Sequence, residues 1–139
     1  LLLVLSVIVS GCICAVSVNV RVHGKLSCSG TFSHSVSLWE EDDYKNDFIN
    51  VHSAANSTDT AYYDVGGDAT DGWFESEVEP FMAIEHDCGS MPACICKYFN
   101  HINKDLDATV DIDLENTKLK PCKSCKDAAK RRGKGKKQV

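Results

Sequence analysis

Apolar and polar residues alternate along positions 18–28, where Val18, Val20, Val22, Leu26 and Cys28 all fall on even numbers. Successive side chains of a strand point to opposite faces, so this set shares one face. Residues 81–88 read as another strand with a cysteine at its end, and Met82, Ile84 and Cys88 again share parity. Two strands that each deliver a cysteine toward a common core point to one buried disulfide. Residues 35–40 form a further strand, with Val36 and Leu38 on one face and Trp39 on the other. A weaker strand covers 61–65. Asp71-Gly72 is a turn signal, with a strand over 73–78 after it. Strands over 96–102 and 108–114 complete the set. In the last one Val110, Ile112 and Leu114 are expected inward and Asp111 and Asp113 outward. Six or seven short strands between polar turns predict an all-β, two-sheet sandwich. No segment sustains a 3.6-residue apolar period, and short helices near Ala54 or Ala128 carry little weight.

Four motifs stand in order: Val-x-Gly-x-Leu-x-Cys at 22–28, Val-x-Leu-Trp-Glu-Glu-Asp at 36–42, Thr-Asp-Gly-x-Phe at 70–74 and His-Asp-Cys at 86–88. Each is weak alone. Together, over residues 18 to 116, the chain resembles the nematode-type transthyretin-like family of secreted proteins. The third motif has the spacing Thr70-Asp71-Gly72-Trp73-Phe74, and departures begin at Cys94 and continue to the C-terminus. The resemblance implies an immunoglobulin/transthyretin-like β-sandwich of about seven strands, a disulfide between Cys28 and Cys88, and an extracellular or cell-surface partner rather than an enzymatic activity. Three regions are expected: a signal peptide at 1–17, the sandwich domain at 18–117, and a Cys-containing, basic, largely disordered tail at 118–139.

Residues 1–17 hold no charge and are dominated by Leu, Val and Ile. They are short for a bilayer span of about 20 residues and fit the apolar region of a secretory signal. Ala15-Val16-Ser17 places small residues where a signal peptidase reads, so cleavage is expected after Ser17, with Ala15 as the runner-up. Leu1 is neither an initiator Met nor preceded by a basic leader, so the true N-terminus of the precursor is expected further upstream. Val9-Ser10-Gly11-Cys12 also fits a bacterial lipoprotein signal, a reading the animal resemblance disfavours.

Charge then changes the picture. The formal charge of −5 conceals two opposite regions. Residues 118–139 hold ten Lys or Arg and one Asp, or +9, whereas 1–117 hold five basic and nineteen acidic residues, or −14. Lys130, Arg131, Arg132, Lys134, Lys136 and Lys137 are the candidate contacts to an anionic lipid or glycan surface. Nucleic acid is not an expected partner, because a secretory route excludes nuclear delivery. The plainer alternative is a solubilising tail, or one trimmed at a dibasic pair.

Six cysteines remain after the signal: Cys28, Cys88, Cys94, Cys96, Cys122 and Cys125. An even set in a small secreted chain reads as a disulfide framework, and six permit fifteen pairings. The resemblance chooses Cys28 with Cys88; the other four are expected to pair among themselves and tie the tail back. A four-cysteine zinc site and a redox Cys122-Lys123-Ser124-Cys125 are the sharper alternatives, but the first needs reduced thiolates and the second a helix.

His86-Asp87-Cys88 invites a catalytic reading, yet a disulfide removes the thiolate such chemistry needs. The five histidines show no paired metal spacing, and no C-terminal Tyr-Arg-Gly-Ser of the transthyretin-related hydrolases is present. The acidic residues Glu40, Glu41, Asp42, Asp43 and Asp47 lack a calcium-loop pattern and read as a solvated loop, with Asp68 and Asp71 as turn residues. Asn56-Ser57-Thr58 is a glycosylation sequon in the long polar connection 41–60. The expectation is a secreted, non-enzymatic binding protein with no cofactor or metal. It acts as an adaptor for a cell-surface or anionic lipid/glycan ligand, with a carrier of a small apolar ligand and a hydrolase as alternatives.

Overall fold

The computed structural model describes residues 15–43, 45–72, 75–89 and 93–122. It is all-β, with no helix among the described residues. The seven strands are β1 (Ser17–Glu40), β2 (Asp47–Thr70), β3 (Pro80–His86), β4 (Ala93–Tyr98), β5 (Leu106–Thr109), β6 (Ile112–Asp113) and β7 (Lys120–Pro121).

β1 organises the molecule. Its even residues from Val18 to Leu38 point inward without interruption, apart from Gly24 and Gly30. The segments expected as separate strands at 18–28 and 35–40 are therefore one strand, and residues 29–34 continue it. β2 runs antiparallel beside β1 from Ser17↔Thr70 to Glu40↔Asp47, with register shifts at three places. The expected polar connection at 41–60 is thus strand from Asp47 onward. Its own alternation is weak and most of its side chains are exposed; β1 supplies the hydrogen-bond partners that its apolar content does not demand.

The two halves of β1 have different second neighbours. Val20 to His23 pair in parallel with β5, and Leu26 and Ser27 pair with β6. His34 to Glu40 pair antiparallel with β3, which continues to β4 and then β7. The strand expected at 73–78 is not formed over 75–77; Val78 makes only an isolated bridge to Ile102. The segment 108–114 is interrupted, but its alternation is as expected: Ile112 and Leu114 are buried, Val110 is half-buried, and Asp111 and Asp113 are exposed.

One apolar core joins both halves, packing Val20, Val22 and Leu26 with Val36, Leu38, Met82 and Ile84. Tyr63 sits inside it, 2% exposed, donating its hydroxyl to the Val110 carbonyl at 2.7 Å. Burial raises the phenol pKa well above its usual value, so the hydroxyl stays a donor. A second, smaller cluster lies on the odd-numbered face, where Trp39, Phe81, Ala83 and Cys96 pack together. Trp39 contacts Phe48 edge-on at 5.1 Å, and Phe81 stacks on Tyr98 at 5.1 Å. This cluster explains why Trp39 is buried although it faces away from Val36 and Leu38.

Candidate functional site

Two regions hold the residues with chemical potential, and they lie toward opposite ends of β3. At the His86 end, Cys28 and Cys88 form a disulfide with Cα atoms 5.9 Å apart. Cys88 therefore has no thiolate. The Cys88 N–H donates to His86 Nδ1 at 3.2 Å, which leaves the ring proton on Nε2. Burial lowers the His86 pKa against the opposing effect of Asp87, and Asp87 itself accepts from the Ser33 N–H at 2.6 Å. His86-Asp87-Cys88 thus closes the end of a strand, each member engaged by backbone or disulfide. His34 pairs across with His86, is 5% exposed, and stacks on His52 at 5.8 Å. Neither His34 ring nitrogen has a hydrogen-bond partner. Burial, and then the neighbouring His52, lower its pKa and keep it neutral.

At the other end, the chain turns from β1 to β2 and from β2 to β3. Glu40 continues the even parity of Val36 and Leu38 and is carried into the interior, 1% exposed. Asp71 follows β2 and is held by its own backbone, its N–H donating to the Val16 carbonyl at 3.1 Å; it is 7% exposed. Asp71 Oδ1 accepts from the Gly72 N–H at 2.6 Å, as a turn residue does. Glu40 Oε1 has no hydrogen-bond partner, and the carboxyl that hydrogen-bonds Asp71 is that of Glu75. Burial, then the charge of Asp71, push the Glu40 carboxyl up to about 8, although the Glu79 N–H opposes the rise. Glu75 is raised to about 7 by hydrogen bonding to Asp71 and then by its charge. The expected solvated acidic loop is therefore only partly solvated: Glu41, Asp42, Asp43 and Asp47 are exposed, but Glu40 is not. The sequence carried the signal for this in the parity of Glu40.

No family profile and no curated protein matches this chain.

Cys96 is bonded to Cys122, with Cα atoms 5.0 Å apart, and the Cys122 N–H donates to the Cys94 carbonyl at 3.1 Å. Cys94 is also disulfide-bonded. A zinc site built on these thiolates has lost its ligands. Residues 120–121 pair with β4 as β7, so the basic tail begins as an ordered edge strand rather than as free chain. Cys125 and the candidate contacts Lys130, Arg131, Arg132, Lys134, Lys136 and Lys137 lie outside the described residues, as do 1–14 of the expected signal peptide.

Asn56 is exposed, with a φ of 57°, and sits within β2 where the pairing steps from Phe32↔Ser57 to His34↔Ala54. It is therefore on an irregular stretch of strand, not in the surface loop expected. On the face of β1 directed to solvent, Arg21 makes a two-pronged pair with Asp64 at 2.6 and 3.0 Å, and His23 contacts Asp107 at 3.0 Å. Both pairs are exposed and contribute little to stability. The groove beside them is lined by His23, Gly24, Lys25, Tyr62, Tyr63, Asp64, Thr109 and Asp111, a mixed polar and apolar set.

Proposed function

We propose that this chain is a secreted, transthyretin-like β-sandwich that acts by binding, as an adaptor between an extracellular or cell-surface partner and an anionic lipid or glycan. The observation that carries this reading is the tether of the basic tail. Residues 118–139 carry +9, and the Cys96–Cys122 bond fixes their root on β4 of a domain that is strongly acidic. Charge of one sign is thus held at a fixed point of a body of the other sign. Such an arrangement favours attachment to anionic surfaces while the body stays available to a second partner.

Extracellular placement is supported by the disulfides, which persist in oxidising compartments. No helix among the described residues is long and apolar enough to cross a membrane. Val16 packs on the core and its carbonyl receives the Asp71 N–H, so signal cleavage after Ala15 would keep a contact that cleavage after Ser17 would remove. The sandwich is supported by the shared core: inward residues from both halves of β1 pack on one another although the halves have different second neighbours. Two sheets facing each other across a common interior produce that pattern. A non-enzymatic role is supported by the engagement of His86 and Cys88 in strand closure. Asn56, exposed on β2, is the proposed glycan acceptor, and a mass loss on glycosidase treatment of the secreted protein is the expected result.

The test is binding of the mature protein to phosphatidylserine liposomes and to heparin, compared with a chain ending at Cys125. Binding by the full chain that fades as salt rises and is lost with the tail is expected, because screening at physiological salt acts over about 8 Å. Equal binding by both chains, or binding unchanged in high salt, would leave the tail as a solubilising appendage. Saturable binding of a small apolar ligand that survives high salt would favour the carrier reading instead.

A further inference from the structure

The His86 end of β3 gathers histidines from three adjacent strands, and the two buried ones fit there only while neutral. His34 on β1 is paired across with His86 on β3, and its ring stacks on that of His52 on β2 at 5.8 Å. His34 continues the inward, even parity of β1, and His86 continues that of Met82 and Ile84. Both are more than nine-tenths buried. Neither ring nitrogen of His34 has a hydrogen-bond partner. His86 uses Nδ1 to accept the Cys88 N–H at 3.2 Å. Just beyond β3 the chain is held to β1 by two links: the Ser33 N–H donates to Asp87 Oδ1 at 2.6 Å, and the Asp87 N–H donates to the Ser33 carbonyl at 3.3 Å. The Cys28–Cys88 bond follows at once.

We propose that His34 and His86 form an acid-operated latch: protonation of the pair releases the Asp87–Cys88 end of β3 from β1, while the Cys28–Cys88 bond keeps the opening local and reversible. An imidazolium carries an N–H on both nitrogens and accepts nothing. Protonated His86 would turn an N–H against the Cys88 N–H, so the bond that shapes the 86–88 turn becomes a contact between two donors. Protonated His34 would hold a cation and two unpaired N–H groups in the interior. The two opposed rings, on strand positions whose Cβ atoms lie about 5 Å apart, would also repel each other. The surrounding groups do not relieve this. β2 presents His52, β4 presents Ala93 opposite His86, and Glu85 points to solvent on the other face of β3. Glu115 has an oxygen within 4.8 Å of both disulfide sulfurs but is engaged by Ser29, and Asp59 accepts from the Gly30 N–H. Asp87 favours the charged form of His86, but burial outweighs it; on His34, burial and His52 both act against charge. The opened chain therefore takes up protons below about 6.5 that the closed form refuses, and opening gains as pH falls below that value. A secreted protein taken into acid compartments crosses this window at about pH 5–6. The latch does not depend on the basic tail or on the adaptor reading.

The experiment follows amide hydrogen exchange of the disulfide-intact protein by NMR, between about pH 7.5 and 5.5, together with the ring signals of His34 and His86. Exchange is expressed as protection factors, so that the intrinsic pH dependence divides out. The Asp87 and Cys88 amides report the latch. The Val78 amide, which donates to the Ile102 carbonyl at 2.7 Å, reports the region just before the other end of β3. Each histidine adds up to about a tenfold loss of protection over the pH unit below 6.5. Asp87 and Cys88 are thus expected to lose on the order of 10- to 100-fold in acid, while Val78 keeps its protection. The variants are His34→Phe, which sets an uncharged ring beside Phe32, and His86→Asn, whose side-chain carbonyl accepts the Cys88 N–H at any pH. His23→Gln, on the outward face of β1, is the control. The first two should each lose up to about tenfold of the acid response, and the control none. Protection at Asp87 and Cys88 that acid leaves unchanged would overturn the latch, as would a loss equal to that at Val78 or a full acid response in both variants. If a variant fails to fold, the wild-type rings decide: their titration must accompany the loss of protection, and opening while both stay neutral refutes the proposal.

Discussion

Replacing Glu40 with Gln should stabilise this protein in alkali and leave it nearly unchanged in acid. The wild-type carboxyl is 1% exposed, faces Asp71, Asp42 and Asp47, and receives one compensating donor, the Glu79 N–H. Its pKa rises from 4.5 to about 8. The folded protein therefore keeps a proton that the unfolded chain releases near 4.5, and binds more protons than the unfolded chain between these values. Stability falls with pH over that window: the contribution is fully present below about 4.5 and is lost as pH rises through about 8. At about 1.4 kcal/mol per pH unit the whole span is on the order of 5 kcal/mol. Glu40 lies at the end of the core beneath exposed turns, and water entering there reduces the effect to about 2–4 kcal/mol. Gln carries no charge at any pH. Urea unfolding in EDTA, with disulfides intact, should then show the variant about 2–4 kcal/mol more stable than wild type at about pH 9 and within about 1 kcal/mol at about pH 5. Other titrating groups cancel in the comparison. A difference that is the same at both pH values, or a variant weaker in alkali, would show that Glu40 is not a desolvated carboxyl.

Removing the Cys28–Cys88 bond as a double Ala variant should cost about 4 kcal/mol, since the bond closes a loop of sequence separation 60; denaturant unfolding measures it, and a loss under 1 kcal/mol would mean the unfolded chain is already constrained. Gly24→Ala should destabilise by about 3 kcal/mol, because a Cβ there would overlap the Val110 carbonyl oxygen; an unchanged Tm would place β1 further from the 110–111 connection. Tyr63→Phe should cost about 1 kcal/mol in the same assay, by leaving the Val110 carbonyl without its 2.7 Å donor.

The sequence by itself determined most of the inward face of β1. A period-two pattern admits only one orientation once one side must leave water, so Val18 to Cys28 and Val36 and Leu38 were legible without coordinates, whereas Phe32 and His34 between them were not; the alternation of Ile112 and Leu114 with Asp111 and Asp113 was legible too. The same rule applied to Glu40 would have placed it inside; its acidic neighbours obscured that, because composition and parity disagree at a strand end. Only the tertiary structure decided that residues 47–60 are strand. Asn50, Ser53, Asn56 and Ser57 have neither the propensity nor the apolar alternation of a strand, and their backbone is ordered by a partner far away in sequence. Only the fold set Asp71 against Glu40, across 31 positions of chain. Local pattern fixes which way a side chain points, but the partner it meets is fixed by which strands lie side by side, and that depends on the packing of the whole chain.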